Sequence, residues 1–266
     1  MRLKYVNILF FILSRVLNPE MACDIGSMDG LIARCFRRIL SDARIIAFEA
    51  NPNNIAVMQR DGELHKDRIE IQQKAVWNSE GFISFYIEKT TPNTEETWRK
   101  GISSTRSRSH SSLGTTEIKA LSVRLDDFIL GLDKTPRSIA LWIDVEGAAY
   151  EVIEGLDKIK DIINVIQVEV ETQEIWPGQK LESSVEALLN HMGFIKLTRG
   201  SQDIQHDLIY INSKTFKASP FKFKAIKILA FITSQMLRLA AHSPFLISHI
   251  KQVVLGDLGR KDCIEF

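Results

Sequence analysis

Cysteine is scarce in this chain of 266 residues. Cys23, Cys35 and Cys263 are the whole complement, and no two of them form a Cys-x-x-Cys pair. That excludes an even-numbered disulfide framework, gives no zinc-ligand spacing, and points to a reducing, cytoplasmic setting. Net charge is also nearly absent, at +1, so the total indicates no nucleic-acid partner. No apolar run reaches the length of a membrane span. The stretch from Tyr5 to Leu13 stops short of Arg15 and lacks an Ala-x-Ala cleavage pattern, so a leading helix packed on the body or on a membrane surface fits it better than a signal peptide. Internal repeats are missing, and so is the spacing Gly-x-Gly-x-x-Gly at the first glycine turn.

What is present is uneven. With 45% hydrophobic residues the chain can bury a sizeable core. Residues 1–19 carry three basic and no acidic side chains, and residues 214–266 carry a net +6, which leaves −8 on the body between them. Three regions follow: an N-terminal helix (1–19), a central domain (20–213), and a basic, apolar helical extension (214–266). Within the extension, 225–241 and 245–255 read as apolar segments separated by Pro244. They fit a helical hairpin packed on the domain, or an element lying in a membrane interface.

The central region alternates strand and helix patterns. Strands are expected at 21–24, 44–49 and 68–77. Between the first two, Leu31, Ile32, Cys35, Phe36, Ile39 and Leu40 recur at helical spacing, and a second helix follows Pro52. This β-α-β-α-β order implies a parallel sheet with right-handed crossovers. Strand-like runs at 81–88 and 116–124 flank residues 90–112, whose Ser, Thr and Arg content suits a surface loop, either a substrate lid or a plain linker. An apolar strand at 138–144, a helix through Tyr150, Val152, Ile153 and Leu156, a strand at 162–171 and a helix at 181–192 come next. Two strands at 194–198 and 207–212 then form a terminal antiparallel hairpin.

Two segments carry the chemistry. Asp24-Ile25-Gly26-Ser27-Met28-Asp29-Gly30 is a glycine turn between a strand and a helix, where the backbone can approach a ligand that a Cβ would exclude. Phe48-Glu49-Ala50-Asn51-Pro52 puts a carboxylate at the tip of the next strand, placed to accept two ribose hydroxyl protons. Together they describe a nucleoside site. A dinucleotide site wants the middle glycine of Gly-x-Gly-x-x-Gly, so that a pyrophosphate can approach. S-adenosylmethionine (SAM) carries no pyrophosphate, and Asp24 is placed to hold its ammonium.

These segments recur with Ala75-Val76-Trp77-Asn78-x-x-Gly81, Val123-Arg124-Leu125-Asp126-Asp127-Phe128 and Ile143-Asp144-Val145-Glu146-Gly147-Ala148. In that order and spacing, over residues 21–212, the chain resembles the FkbM-type methyltransferases, class I SAM-dependent enzymes that methylate hydroxyl groups. The resemblance implies a Rossmann-like α/β fold with a mostly parallel seven-stranded sheet and a terminal antiparallel hairpin. It implies that Asp24, Gly26 and Gly30 line the methionine end of SAM, that Glu49 with neighbouring Asn51 binds the ribose, and that Ala75, Val76 and Asn78 flank the adenine. Its acceptors would be hydroxyls of a sugar, a glycan, or a lipid-linked or polyketide intermediate. The chain departs from the family pattern at Ser27-Met28, where Ala-Asn is usual, at Asn78, where aspartate is frequent, and at Ala149, where glutamate is usual.

For catalysis, Asp144 ends a central strand at the face where ligands sit in such sheets, and is the first choice for general base or acceptor-orienting group. Glu146 and Glu171 are the alternatives. His110, His191 and His206 are further base candidates, each also explicable as an ordinary helix-end or loop residue. Trp142 is expected in the core, and Trp176 at the acceptor wall. No metal is called for by ligand spacing. Two rival functions stay open at this point: a nicotinamide-dependent oxidoreductase, and a non-catalytic SAM-binding or membrane-docking protein.

Overall fold

The computed structural model describes residues 5–89, 103–107, 114–200, 204–214, 224–228, 230–232 and 235. Helix α1 (Tyr5–Leu17) leads into β1 (Met21–Ile25), α2 (Leu31–Ile39), β2 (Arg44–Phe48), α3 (Pro52–Met58), α4 (Gly62–Lys66) and β3 (Glu70–Gln72). The chain then enters a second sheet through β4 (Ala75–Val76), β5 (Gly81–Glu88), β6 (Ser103–Ser104) and β7 (Thr115–Val123). It returns by way of α5 (Leu125–Leu130), β8 (Ile139–Ile143), α6 (Ala149–Glu154), a 3-10 turn (Asp157–Ile162), β9 (Ile163–Glu171), α7 (Glu182–His191), β10 (Phe194–Arg199) and β11 (Gln205–Asn212).

The main sheet runs β3–β2–β1–β8–β9–β11–β10. All pairs are parallel except those made by β11, which is antiparallel to both β9 and β10. This is the seven-stranded, hairpin-terminated sheet of the class I methyltransferase fold. β1 and β8 are buried along their whole length, which is why β8 reads as an unbroken apolar run and β1 is apolar apart from Asp24. Between them the strand order reverses, and the C-terminal ends of such strands form a ligand crevice.

Local chemistry explains the helices that frame this crevice. In α2 the buried Leu31, Ala33, Cys35 and Phe36 face the sheet. Arg37 lies on the other side, where its guanidinium donates to the carbonyls of Leu40, Ser41 and Ala43 and so satisfies the chain leaving the helix. Helix α3 starts where Asn51 Oδ1 accepts the Asn53 N–H at 3.0 Å, with Pro52 in the first turn.

Of the two placements open to the leading helix, the body is the one observed. Phe10 and Phe11 of α1 pack on Phe36 and Trp142 with ring centroids 5.6–5.7 Å apart. Burying each such side chain stabilises the fold by about 1.5–3 kcal/mol. Trp142 is core, as expected. Inside this contact, Gln167 Nε2 of β9 donates to Asn7 Oδ1 at 3.3 Å.

The expected third strand, 68–77, divides in two. Lys74 N–H turns back on the Gln72 carbonyl at 2.9 Å, and the break sends β3 and β4 to different sheets. The second sheet, β4–β7–β5–β6, was not expected at all. The runs at 81–88 and 116–124 are its antiparallel core, paired from Gly81↔Ser122 to Glu88↔Thr115. Of the expected loop 90–112, residues 103–107 are described and the rest, including His110, lies outside the described residues. In the C-terminal region 224–228, 230–232 and 235 are helical, while 245–255 lies outside the described residues.

Candidate active site

The crevice has two halves. The first is formed by the turn after β1 and the end of β2. Gly26 (φ 84°) and Gly30 (φ 82°) both adopt the left-handed region, and Met28 between them has φ 54°. A Cβ on Gly26 would come within 1.8 Å of the Asp144 carbonyl oxygen, so β1 and β8 close together there only around a glycine. The turn is fastened to β2 by the Gly26 and Ser27 N–H groups, which both donate to the Phe48 carbonyl at 3.0 Å. Glu49 then reaches back. Its Oε2 accepts the Met28 N–H at 2.7 Å and its Oε1 accepts the Asn51 N–H at 2.6 Å. Burial raises the proton affinity of Glu49, and these backbone donors oppose that rise.

Asp24 is 1% exposed. Its Oδ2 accepts the Ser27 hydroxyl at 2.5 Å and the Ala33 N–H at 3.1 Å. Its Oδ1 is buried with no hydrogen-bond partner among the described residues. Burial pushes the Asp24 carboxyl up to about 7. An unpartnered, buried carboxylate oxygen beside a glycine turn suits a cationic group, and an ammonium there would restore its ionised form.

The second half lies at the ends of β8 and β9. Oxygens of Asp144, Glu146 and Glu169 lie within 4.8 Å of one another. That spacing would let three carboxylates grip one divalent cation, a grouping that ligand spacing in the sequence did not disclose. Glu171 stands beside them. The amide of Gln205, from the start of β11, donates to Glu169 Oε2 at 2.8 Å, Glu146 Oε2 at 3.2 Å and Glu171 Oε1 at 3.5 Å. Gln179 donates to Glu171 Oε2 at 2.9 Å. Burial, then the charge of Asp144, push the Glu171 carboxyl up to about 7. Beneath the turn after β8, Trp176 is buried against Gly147, where a Cβ would lie 2.8 Å from its ring.

Other candidates fall elsewhere. Ala75 and Val76 are buried in β4. Asn78 faces α6 and α7: its amide donates to Glu154 Oε2 at 2.9 Å, and it lines a cavity with Arg124, Ile153, Asp157 and His191. Its amide is thus committed to a neighbour remote in sequence, which no local motif reveals. His206 is buried and is engaged by Arg199 Nε at 2.9 Å and by Glu182 at 3.4 Å, away from the carboxylate cluster.

Glu169, Gln179 and Gln205 were missed from the sequence. One signal was available: Gln167, Glu169 and Glu171 alternate with apolar residues in the second half of β9, which aligns them on one face of the strand.

Residues 24–196 match the model of the methyltransferase FkbM domain. The 2-O-methyltransferase NoeI of Sinorhizobium fredii (strain NBRC 101917 / NGR234) is 27% identical over 199 residues, spanning 72% of this chain and 79% of that protein. Among solved structures, magnesium protoporphyrin IX methyltransferase (ChlM) from Synechocystis PCC 6803, with bound SAM, aligns with TM-score 0.41 and 9% identity, covering 79% of this chain and 78% of that one. Ribosomal protein L11 methylase from Lactobacillus delbrueckii subsp. bulgaricus aligns with TM-score 0.43 and 12% identity, covering 78% of each chain. Likenesses that distant carry no argument about the chemistry of this chain.

Proposed function

The chain belongs to the FkbM methyltransferase family, and from that premise we propose that it methylates a hydroxyl of a polyhydroxylated acceptor, a sugar or glycan. It is a SAM-dependent methyltransferase, which sets the oxidoreductase alternative aside. The central domain, 20–213, is the catalytic unit in this reading. The observation that carries it is a single rim on which an orphaned, buried carboxylate oxygen beside a glycine turn stands next to a cluster of four carboxylates. The similarity to a 2-O-methyltransferase supports a hydroxyl acceptor. Carboxylates joined by side-chain amides suit a partner with several hydroxyl donors.

When bound, SAM supplies an electrophilic methyl group. Asp24 holds its ammonium, the Gly26–Gly30 turn holds its carboxylate end, and Glu49 with Asn51 holds the ribose. Ala75 and Val76 would flank the adenine beyond this rim, from the end of β4, while the Asn78 amide stays with Glu154. Asp144 takes the proton of the acceptor hydroxyl, and Glu146 and Glu171 orient the acceptor through its other hydroxyls. Orientation of this kind supplies most of the acceleration in a displacement at carbon, and the carboxylate adds general-base assistance.

The test is calorimetric titration of the wild type and Glu49→Ala with SAM and with NAD. SAM binding that weakens at least about tenfold in the variant (about 1.4 kcal/mol) is expected. It is followed by an S-adenosylhomocysteine release assay over sugars, lipid-linked saccharides and polyketide alcohols. A well-folded chain that binds NAD and ignores SAM overturns the proposal.

A second reading concerns the surface. Among the described residues no helix is long and apolar enough to cross a membrane. In the C-terminal helical residues, Ile226 and Ala230 are buried while Ile228, Phe231 and Ile232 are exposed, and Lys224 and Lys227 are exposed beside them. This arrangement supports peripheral contact with an anionic membrane. Co-sedimentation with phosphatidylserine vesicles is expected to fall when residues 214–266 are removed, and equal binding by both chains counts against it.

A further inference from the structure

We propose that Ser103–Arg106 is a strap coupling the two halves of the rim, and that Arg106 is the positioning residue at its acceptor end. The strap is held from behind by β5, through the pairs Tyr86↔Ser104 and Ile87↔Ser103. At the cofactor end, Asn51 Nδ2 donates to Ser103 Oγ at 3.1 Å. At the acceptor end, Ser104 Oγ donates to the Glu146 carbonyl at 2.6 Å and Arg106 Nη1 donates to the Gly147 carbonyl at 2.9 Å. The other arm of the same guanidinium bonds the Glu151 carboxylate, and its carbon lies 5.7 Å from the Trp77 ring centroid.

These contacts meet a backbone that needs them. Glu146 (φ 47°) and Gly147 (φ 78°) are consecutive left-handed residues. A non-glycine residue holds that conformation only where its surroundings over-determine it. Here the carbonyls of both residues are bonded by side chains of one short segment. That turn aims the Glu146 carboxylate at Gln205, and so into the cluster. A ligand that engages Asn51 and Glu49 therefore acts, through Ser103, on the segment that fixes the acceptor-side turn. The sequence marks this stretch by its Ser and Arg content, and neither the cofactor nor the acceptor assignment uses it.

The inference rests on the methyltransferase reading. It is tested with S-adenosylhomocysteine as the probe, using amide hydrogen exchange over residues 144–151 beside calorimetric affinities. In the wild type, saturating ligand is expected to slow exchange over 144–151 about tenfold, within the usual range of coupling between sites. In Arg106→Ala the slowing falls below about twofold, while affinity stays within about threefold. Arg106→Lys keeps a charge for Glu151 but loses the fork that also reaches Gly147, and gives an intermediate slowing. Ser103→Ala, which cuts only the tie to Asn51, removes the slowing too and serves if Arg106→Ala does not fold. Equal slowing in wild type and variants overturns the proposal, as does a wild type that binds the probe without slowing. A wild type that binds no probe at all defeats the methyltransferase reading, and calorimetry separates that failure from the others.

Discussion

The two halves of the rim hold their carboxylates by different means. Around β1 and β2 the donors are mostly main-chain N–H groups: Met28 and Asn51 for Glu49, and Ala33 for Asp24, which the Ser27 hydroxyl joins. Around β8 and β9 they are mostly the side-chain amides of Gln205 and Gln179, with the Gly147 main chain adding to Glu171. A main-chain donor is fixed once the turn has formed. A side-chain amide loses rotamer freedom to make its bonds and can be exchanged without moving a strand. A pocket for a ligand common to many enzymes can thus be written into the backbone, while a pocket for one particular acceptor is written in replaceable side chains.

The comparison breaks most readily at Gly26. A methyl group there meets backbone, the Asp144 carbonyl at 1.8 Å, and the position has φ 84°. Gly26→Ala is expected to weaken SAM binding by more than about 100-fold by calorimetry, about 2.7 kcal/mol or more. Wild-type affinity would mean that the turn is not backbone-defined.

The acceptor half is sharpened by pH. The folded-state carboxyl of Glu171 lies at about 7 against an ordinary 4.5, so between those values the folded chain binds more protons than the unfolded one. Stability therefore falls as pH rises from about 4.5 to about 7, by up to about 3 kcal/mol from this group. Glu171→Gln is expected to flatten that part of the curve and to gain on the wild type at pH 8. Urea denaturation of both chains across this window reads the effect. Parallel curves would mean that the cluster is neutralised by something other than its own protons.

The same contrast explains what could be read from the sequence. Asp24, Gly26, Gly30 and Glu49 are legible because each sits within a few residues of the strand end or turn that gives it meaning. The sheet order follows in the same way from alternating strand and helix periods. Gln205 is not legible: its partners Glu169 and Glu146 lie 36 and 59 residues away. Arg106 is 41 residues from Gly147, and its composition suggested only a loop. The division of 68–77 into β3 and β4 escaped because both halves have strand character, and the turn at Lys74 carries no glycine or proline to mark it.

The second sheet has a consequence in time. Because it lies between β3 and β8 in the chain, β1 waits for its partner until long after it is made. The bond from Glu20 to Ser138 at the foot of that pairing spans 118 residues. At roughly 5–20 residues per second of synthesis, the interval is about 6–24 s. Through that interval β1, apolar but for Asp24, has β2 on one side and nothing on the other. The nascent chain is then at its most exposed to aggregation and to chaperone capture, and the arrival of β8 ends the danger.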